Sequence, residues 1–264
     1  MRFVTLNTWG MRGDWATRQQ VFREGFRILD ADVLTLQETI VGDGVDQAVE
    51  MLGAGYHLAH SRDRDAEGQG ITTASRWPFG EVFEVDLHLT ERTDEFPATC
   101  LVTEVLAPEP LGRVWVANHF SDYQLDHERE RRLQSVAVAR RLEELVTKSA
   151  GHVVVAGDLD ADAASDSLRF WTGRHVIDDT SVCYRSAWEA VHGDEPLKTY
   201  TPQNPLQVDF DWPFRGIDHV LVRCQRSGPT MAIRSCARVF DHGPTTASDH
   251  YGLVVEMAIP HQSQ

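Results

Sequence analysis

The run His152-Val153-Val154-Val155-Ala156-Gly157-Asp158-Leu159-Asp160 ends in two carboxylates two residues apart. A β-branched stretch that is apolar on both faces reads as a buried strand, and a buried strand presents polar groups at its end. Like charges so close repel one another, and a bound cation is one way to hold them together. Five more motifs place chemistry at other strand ends. Asn7 follows Phe3-Val4-Thr5-Leu6, Gln37-Glu38 closes Ala31-Asp32-Val33-Leu34-Thr35-Leu36, and Asn118-His119 closes the run from Arg113. Ile217-Asp218-His219 and Ser248-Asp249-His250 complete the set. Taken singly, each has a plainer meaning: Asn7 a strand-end turn residue, Glu38 a solvated strand terminus, His119 a structural histidine.

The elements needed to bring these motifs together can be read from periodicity. A strand at Arg2–Asn7, a helix carrying Val21, Phe22, Phe26 and Leu29, and a strand ending on Glu38 form a right-handed crossover with Asn7 and Glu38 at one sheet edge. A short helix is expected over Asp46–Leu52 and an exposed loop or hairpin tip over Ser61–Gly70. Ile71–Ser75 and Glu81–Leu89 read as neighbouring strands turning at Arg76-Trp77-Pro78-Phe79-Gly80, and Cys100–Leu106 with Arg113–Asn118 as a second hairpin. Leu125–Lys148 predicts a long helix with Leu133, Val136, Ala137, Leu142 and Leu145 inward. Its Arg129, Arg131, Arg132, Arg140 and Arg141 interleave with Glu128, Glu130, Glu143 and Glu144 as a solvated face. After Asp160 the chain is mostly irregular to Pro213, with short helices near Ser167–Trp171 and Ala187–Val191. Strands follow at Ile217–Val222, Met231–Phe240 and Gly252–Ala258. Trp171, Trp188 and Trp212 read as packing residues. The pattern predicts an α/β fold of two packed mixed β-sheets flanked by helices, as a single domain over residues 1–264.

Composition narrows the function. The 264 residues carry a formal net charge of -15, which argues against a broad basic surface that grips nucleic acid through its phosphates. A divalent ion among the acids would reverse that field locally. No apolar run approaches the ~20 residues of a membrane helix, and no secretory leader opens the chain. The four cysteines are scattered without ligand spacing and read as reduced core thiols, which points to a cytoplasmic protein.

In their order along the chain, the six motifs resemble the endonuclease/exonuclease/phosphatase superfamily, a group of metal-dependent phosphoesterases that includes pancreatic-type deoxyribonucleases. Arg76-Trp77-Pro78 is similar to its strand-turn motif. The resemblance spans Asn7 to His250 and implies a four-layered α/β sandwich with the active site at one end of the two sheets. It makes Glu38 the principal ligand of Mg²⁺ or Mn²⁺, with Asn7 and Asp249 nearby, all hard oxygen donors. It makes His250 the catalytic histidine held by Asp218, and His119 a second histidine on the scissile phosphate, with Glu67 or Gln69 as its partner. Asp158 orients or deprotonates the attacking water. Asp160 stands where the family usually has Asn, and is taken as a metal or phosphate ligand. The implied activity is Mg²⁺-dependent hydrolysis of a phosphodiester or phosphomonoester. The substrate is a small soluble phosphate ester or a nucleic acid. The alternatives are a DNA endonuclease or exonuclease and a catalytically impaired binding protein on the same fold. No membrane partner is expected, and the oligomeric state stays open.

Overall fold

Apolar alternation in Arg2–Asn7 makes β1, and Asp14 starts α1 (Trp15–Leu29) by accepting the Thr17 N–H. The computed structural model describes residues 1–208 and 215–260. The chain continues through β2 (Val33–Gly42), β3 (Val45–Asp46), α2 (Gln47–Leu52), β4 (His57–His60), β5 (Gln69–Ser75) and β6 (Phe79–Asp86). Next come β7 (Thr99–Leu106), β8 (Arg113–Phe120), α3 (Glu128–Lys148), β9 (His152–Asp158), α4 (Asp166–Trp171), β10 (Tyr184–Ser186) and α5 (Ala187–His192). The last four elements are β11 (Asp218–Gln225), β12 (Gly228–Pro229), β13 (Ala232–Val239) and β14 (Gly252–Ala258).

Two mixed sheets result. One runs β13-β14-β1-β2-β5-β4 and the other β10-β11-β9-β8-β7-β6, with β3 and β12 as short additions to β2 and β11. The parallel pairs are β1 with β2 and β8 with β9, each joined by a helical crossover. Phe3, Val33, Val116, Val154, Val220 and Val255 fill the space between the sheets. Phe22 and Phe26 of α1 and Met51 of α2 cover the outer face of the first sheet. Val138, Leu142 and Leu145 of α3 and Trp171 of α4 cover that of the second. The layers are therefore helix, sheet, sheet, helix. Each β-strand places alternate residues on opposite faces, so each sheet feeds two apolar layers at once.

Several sequence expectations change. β5 and β6 are not neighbours: β5 pairs with β2 and β4 in one sheet, β6 with β7 in the other, so Arg76-Trp77-Pro78 carries the chain between sheets. β2 does not stop at Glu38 but runs on to Gly42, with a break in register between Leu36 and Thr39. The loop after His60 is fastened, since Arg64 donates to the carbonyls of Ser61, Thr39, Gly68 and Ile71. In α3, Arg131 is buried and donates to the Asp122 and Gln124 carbonyls, so it is no part of a solvated face. Only Cys100 and Cys236 are core thiols, whereas Cys183 is exposed and Cys224 half-buried. Trp171 and Trp188 are packing residues as expected, and Trp212 lies outside the described residues.

Candidate active site

The carboxyl ends of β1 and β9, the middle of β2 and the start of β11 meet at one end of the two sheets. They surround a cavity of about 400 Å³ whose lining includes Trp9, Arg12, Glu38, Asp158, Asp160, Arg215, Asp249 and His250. Three lining residues, Trp9, Glu38 and Asp160, sit at positive φ of 56°, 56° and 46°. Such backbone is costly for a residue with a side chain and clusters where side chains must be aimed. At Glu38 it coincides with the break in β2, which leaves Gln37 facing the opposite sheet while Glu38 reaches the cavity. Arg18, buried at 3% exposure, ties down the neighbouring loop by donating to the carbonyls of Thr8, Gly10, Arg12 and Ala247.

The Asn7 amide joins the two halves of the site, donating to Glu38 Oε1 and to Asp158 Oδ2, each at 3.0 Å. Glu38 also receives Arg12 at 2.7 Å. His250 Nδ1 lies 3.0 Å from Asp218 Oδ2, and His250 Nε2 lies 3.8 Å from Asp158 Oδ2. Burial works against a charge on His250. Asp218 and Asp158 outweigh it, and the imidazole pKa stands well above its usual value. Burial, reinforced by Asp218, raises the Asp158 pKa. Asp249 accepts from Ser248 Oγ, and burial, with Glu38 adding to it, pushes its carboxyl up to about 6.

Two expected site residues are placed differently. In β8, Val114 and Val116 face the other sheet, Asn118 bonds Gln37 across to it, and Phe120 lines the cavity. The intervening Trp115, Ala117 and His119 therefore face the helices. His119 is fully buried, its ring 6.2 Å from that of Trp171 and its Nε2 3.0 Å from Ser121 Oγ. Burial drives its pKa down to about 3. Gln69 and Glu67 are not its partners: Gln69 approaches Gly10 and lines the cavity. Asp160 does line the cavity, but it stands beside Arg215 rather than with Glu38 and Asp249. Arg215 donates to the Asp160 carbonyl at 2.9 Å and lies 3.6 Å from its Oδ1. Burial and Asp158 raise the Asp160 pKa well above the usual range, and Arg215 opposes them. The Asp that replaces the family's Asn thus arrives with its own cation.

Arg12, Arg215 and Tyr200 escaped the sequence reading. Tyr200 pairs through its backbone with both Arg215 and His250, and its ring centroid is 4.8 Å from that of His250. Arg215 stands two residues before Ile217-Asp218, a spacing that could have marked it. Nothing local marks Arg12 or Tyr200.

The donor set suits a hard divalent cation. Glu38, Asp249 and the Asn7 side-chain oxygen are oxygen donors, and the Glu38 charge adds to the burial that raises the Asp249 carboxyl. Asp158, Asp218 and His250 also present ligand atoms within 4.8 Å of one another. Their Asp218–His250 hydrogen bond already satisfies that imidazole nitrogen, which makes the trio a proton-handling network first.

Comparison with protein families matches residues 4–250 to the Endonuclease/Exonuclease/phosphatase family. No curated protein sequence matches the chain. Among solved structures, D. rerio TDP2 complexed with single strand DNA product is 16% identical, over 97% of either chain, with a TM-score of 0.73. The human Nocturnin catalytic domain with bound sulfate anion is 17% identical, over 98% of this chain and 94% of that one, with a TM-score of 0.72. The endonuclease/exonuclease/phosphatase from Bacteroides vulgatus is 15% identical, over 98% of both chains, with a TM-score of 0.76. At these identities the likeness is one of fold, and that fold is the four-layered sandwich described above. The family match over nearly the whole length joins it to a strand-end cluster of acids and a charged histidine, and the chain belongs to the endonuclease/exonuclease/phosphatase family of phosphoester-hydrolysing enzymes.

Proposed function

We propose that the protein is a Mg²⁺-dependent phosphoesterase acting on a small soluble phosphate ester by direct attack of water. The observation that carries this reading is the Asn7 amide, which holds Glu38 and Asp158 in one frame beside the Asp218–His250 pair. Glu38 and Asp249, with the Asn7 oxygen, are the residues that would hold Mg²⁺ or Mn²⁺, whose charge would stabilise the developing negative charge on the phosphate oxygens. His250, kept protonated by Asp218 and Asp158, donates its Nε2 proton toward a phosphate oxygen. Asp158 is a stronger base than an ordinary carboxylate and takes a proton from the attacking water. Asp218 fixes the His250 tautomer through Nδ1. In this reading His119 is a structural residue and Asp160, instead of ligating metal, positions Arg215 at the cavity wall. We take residues 1–264 as a single domain, since the first sheet interleaves strands from both ends of the chain, and the protein as cytoplasmic, a setting consistent with four unpaired cysteines.

A cavity of about 400 Å³ and a net charge of -15 favour a small ester over a polymer. The second reading, DNA cleavage, draws on the fold shared with TDP2, which binds a single strand DNA product. Hydrolysis of plasmid DNA, an abasic duplex, a generic phosphodiester and a generic phosphomonoester, with EDTA or added Mg²⁺ or Mn²⁺, separates the readings. Metal-dependent turnover of the small esters is expected, reduced about 10²–10⁴-fold in Asp158→Asn and His250→Ala. Nicking of DNA with no turnover of small esters makes the protein a nuclease. Metal binding with silence on every substrate makes it a binding protein.

A further inference from the structure

Cys183 and Cys224 are far apart in sequence but meet across two strands. β10 and β11 pair antiparallel with Tyr184 opposite Arg223 and Arg185 opposite Val222. The register continues one step past β10, where the Cys224 N–H donates to the Cys183 carbonyl at 2.9 Å. Directly opposed residues of an antiparallel pair project to the same face with Cα atoms ~4.5–5.5 Å apart. A disulfide spans ~4.4–6.8 Å. Both residues line one shallow surface depression with Gly173, Val182 and Arg223. Gly173 leaves room there, since a Cβ at that position would stand 3.3 Å from the Cys183 sulfur. Both thiols are free, Cys183 exposed and Cys224 half-buried with its Sγ donating to the Val222 carbonyl at 3.8 Å.

We propose that Cys183 and Cys224 form a vicinal dithiol site that reacts with low-molecular-weight disulfides and closes into a cross-strand disulfide. This site lies outside the phosphoesterase cavity and stands independently of the activity proposed there. Burial and the neighbouring Cys183 push the Cys224 thiol up to about 11, so the exposed Cys183 leads. The Cys183 thiolate attacks one sulfur of the small disulfide, forming a mixed disulfide and releasing one small thiolate. The Cys224 sulfur then attacks Cys183, forming the protein disulfide and expelling the second small thiolate, which takes up the Cys224 proton. The two protein thiols lose two electrons and the small disulfide becomes two thiols. Cys100 and Cys236, buried in separate apolar layers, take no part.

The test treats the full chain with glutathione disulfide, blocks residual thiols by alkylation and maps the peptides by mass. The expected product has lost two hydrogens, carries a Cys183–Cys224 cross-link, retains two alkylated cysteines and returns to the dithiol with dithiothreitol. Cys224→Ser stops at a glutathione adduct on Cys183. Phenylarsine oxide, which needs two thiols to bind tightly, should be retained by the wild type and lost in both Cys183→Ser and Cys224→Ser. A glutathione adduct that persists on wild-type Cys183, a cross-link to another cysteine, or no reaction overturns the proposal.

Discussion

Asp249 holds its proton more firmly than an ordinary carboxylate, because burial and Glu38 both disfavour its charge. Its pKa of about 6 lies above the ~3.9 of an unfolded aspartate. Between those values the folded chain binds more proton than the unfolded one, so metal-free stability falls as pH rises through this window. A cation there displaces the proton, so the rise in melting temperature produced by Mg²⁺ should be larger at pH 7 than at pH 5. Equal shifts at both pH values would remove Asp249 from the metal site. Asp160 is likewise buried, and the Arg215 guanidinium lies 3.6 Å from its Oδ1. Asp160→Asn should therefore keep Mg²⁺ affinity and retain hydrolysis within about tenfold, while Arg215→Met should raise KM more than it lowers kcat. Loss of Mg²⁺ binding in Asp160→Asn, read by calorimetry, would restore Asp160 as a ligand.

The strand ends are shaped by single backbone positions. Gly157 at φ 147° brings β9 so close to β8 that a Cβ would collide with the His119 carbonyl oxygen. Gly157→Ala must push the two strands apart just before Asp158. A loss of about 3 kcal/mol is expected in denaturant unfolding, together with reduced turnover. Unchanged stability would show that the strands can separate freely there. Gly25 of α1 packs in the same way under the Phe240 ring, where Phe22, Phe26 and Phe240 form an aromatic cluster. That cluster joins α1 to the chain leading toward Ser248-Asp249-His250.

Across the whole molecule, one polar bridge locks the sheets next to the site. Gln37 Nε2 donates to Asn118 Oδ1 at 2.8 Å, and the Asn118 amide donates to the Leu36 and Thr72 carbonyls. These atoms are buried, so removing Asn118 strands them without water. Asn118→Leu should cost about 3 kcal/mol in denaturant unfolding. It should also lower kcat, because Gln37 adjoins Glu38. Full stability in that variant would mean that apolar packing alone sets the spacing of the sheets.

Strand periodicity and motif order made the two-sheet sandwich legible, along with the gathering of Asn7, Glu38, Asp158, Asp218, Asp249 and His250, because each motif lies in or next to a strand that the chain itself marks. Strand existence is a local property, encoded in alternation and β-branching. Which strands become neighbours is not local, so adjacency along the chain suggests a β5–β6 hairpin that the structure does not form, and Cys183 and Cys224 give no sign of meeting. His119 lies on the helix-facing side of β8 for a subtler reason. Alternation fixes that adjacent residues face opposite ways, but only the packing of β8 between a second sheet and a helix layer decides which parity faces the cavity. The Asp160–Arg215 pair likewise depends on a segment far along the chain returning to β9. The sequence by itself determined which polar side chains lie in and beside the strands. Tertiary structure decided which side chains share a face, since that is set by long-range pairing and burial.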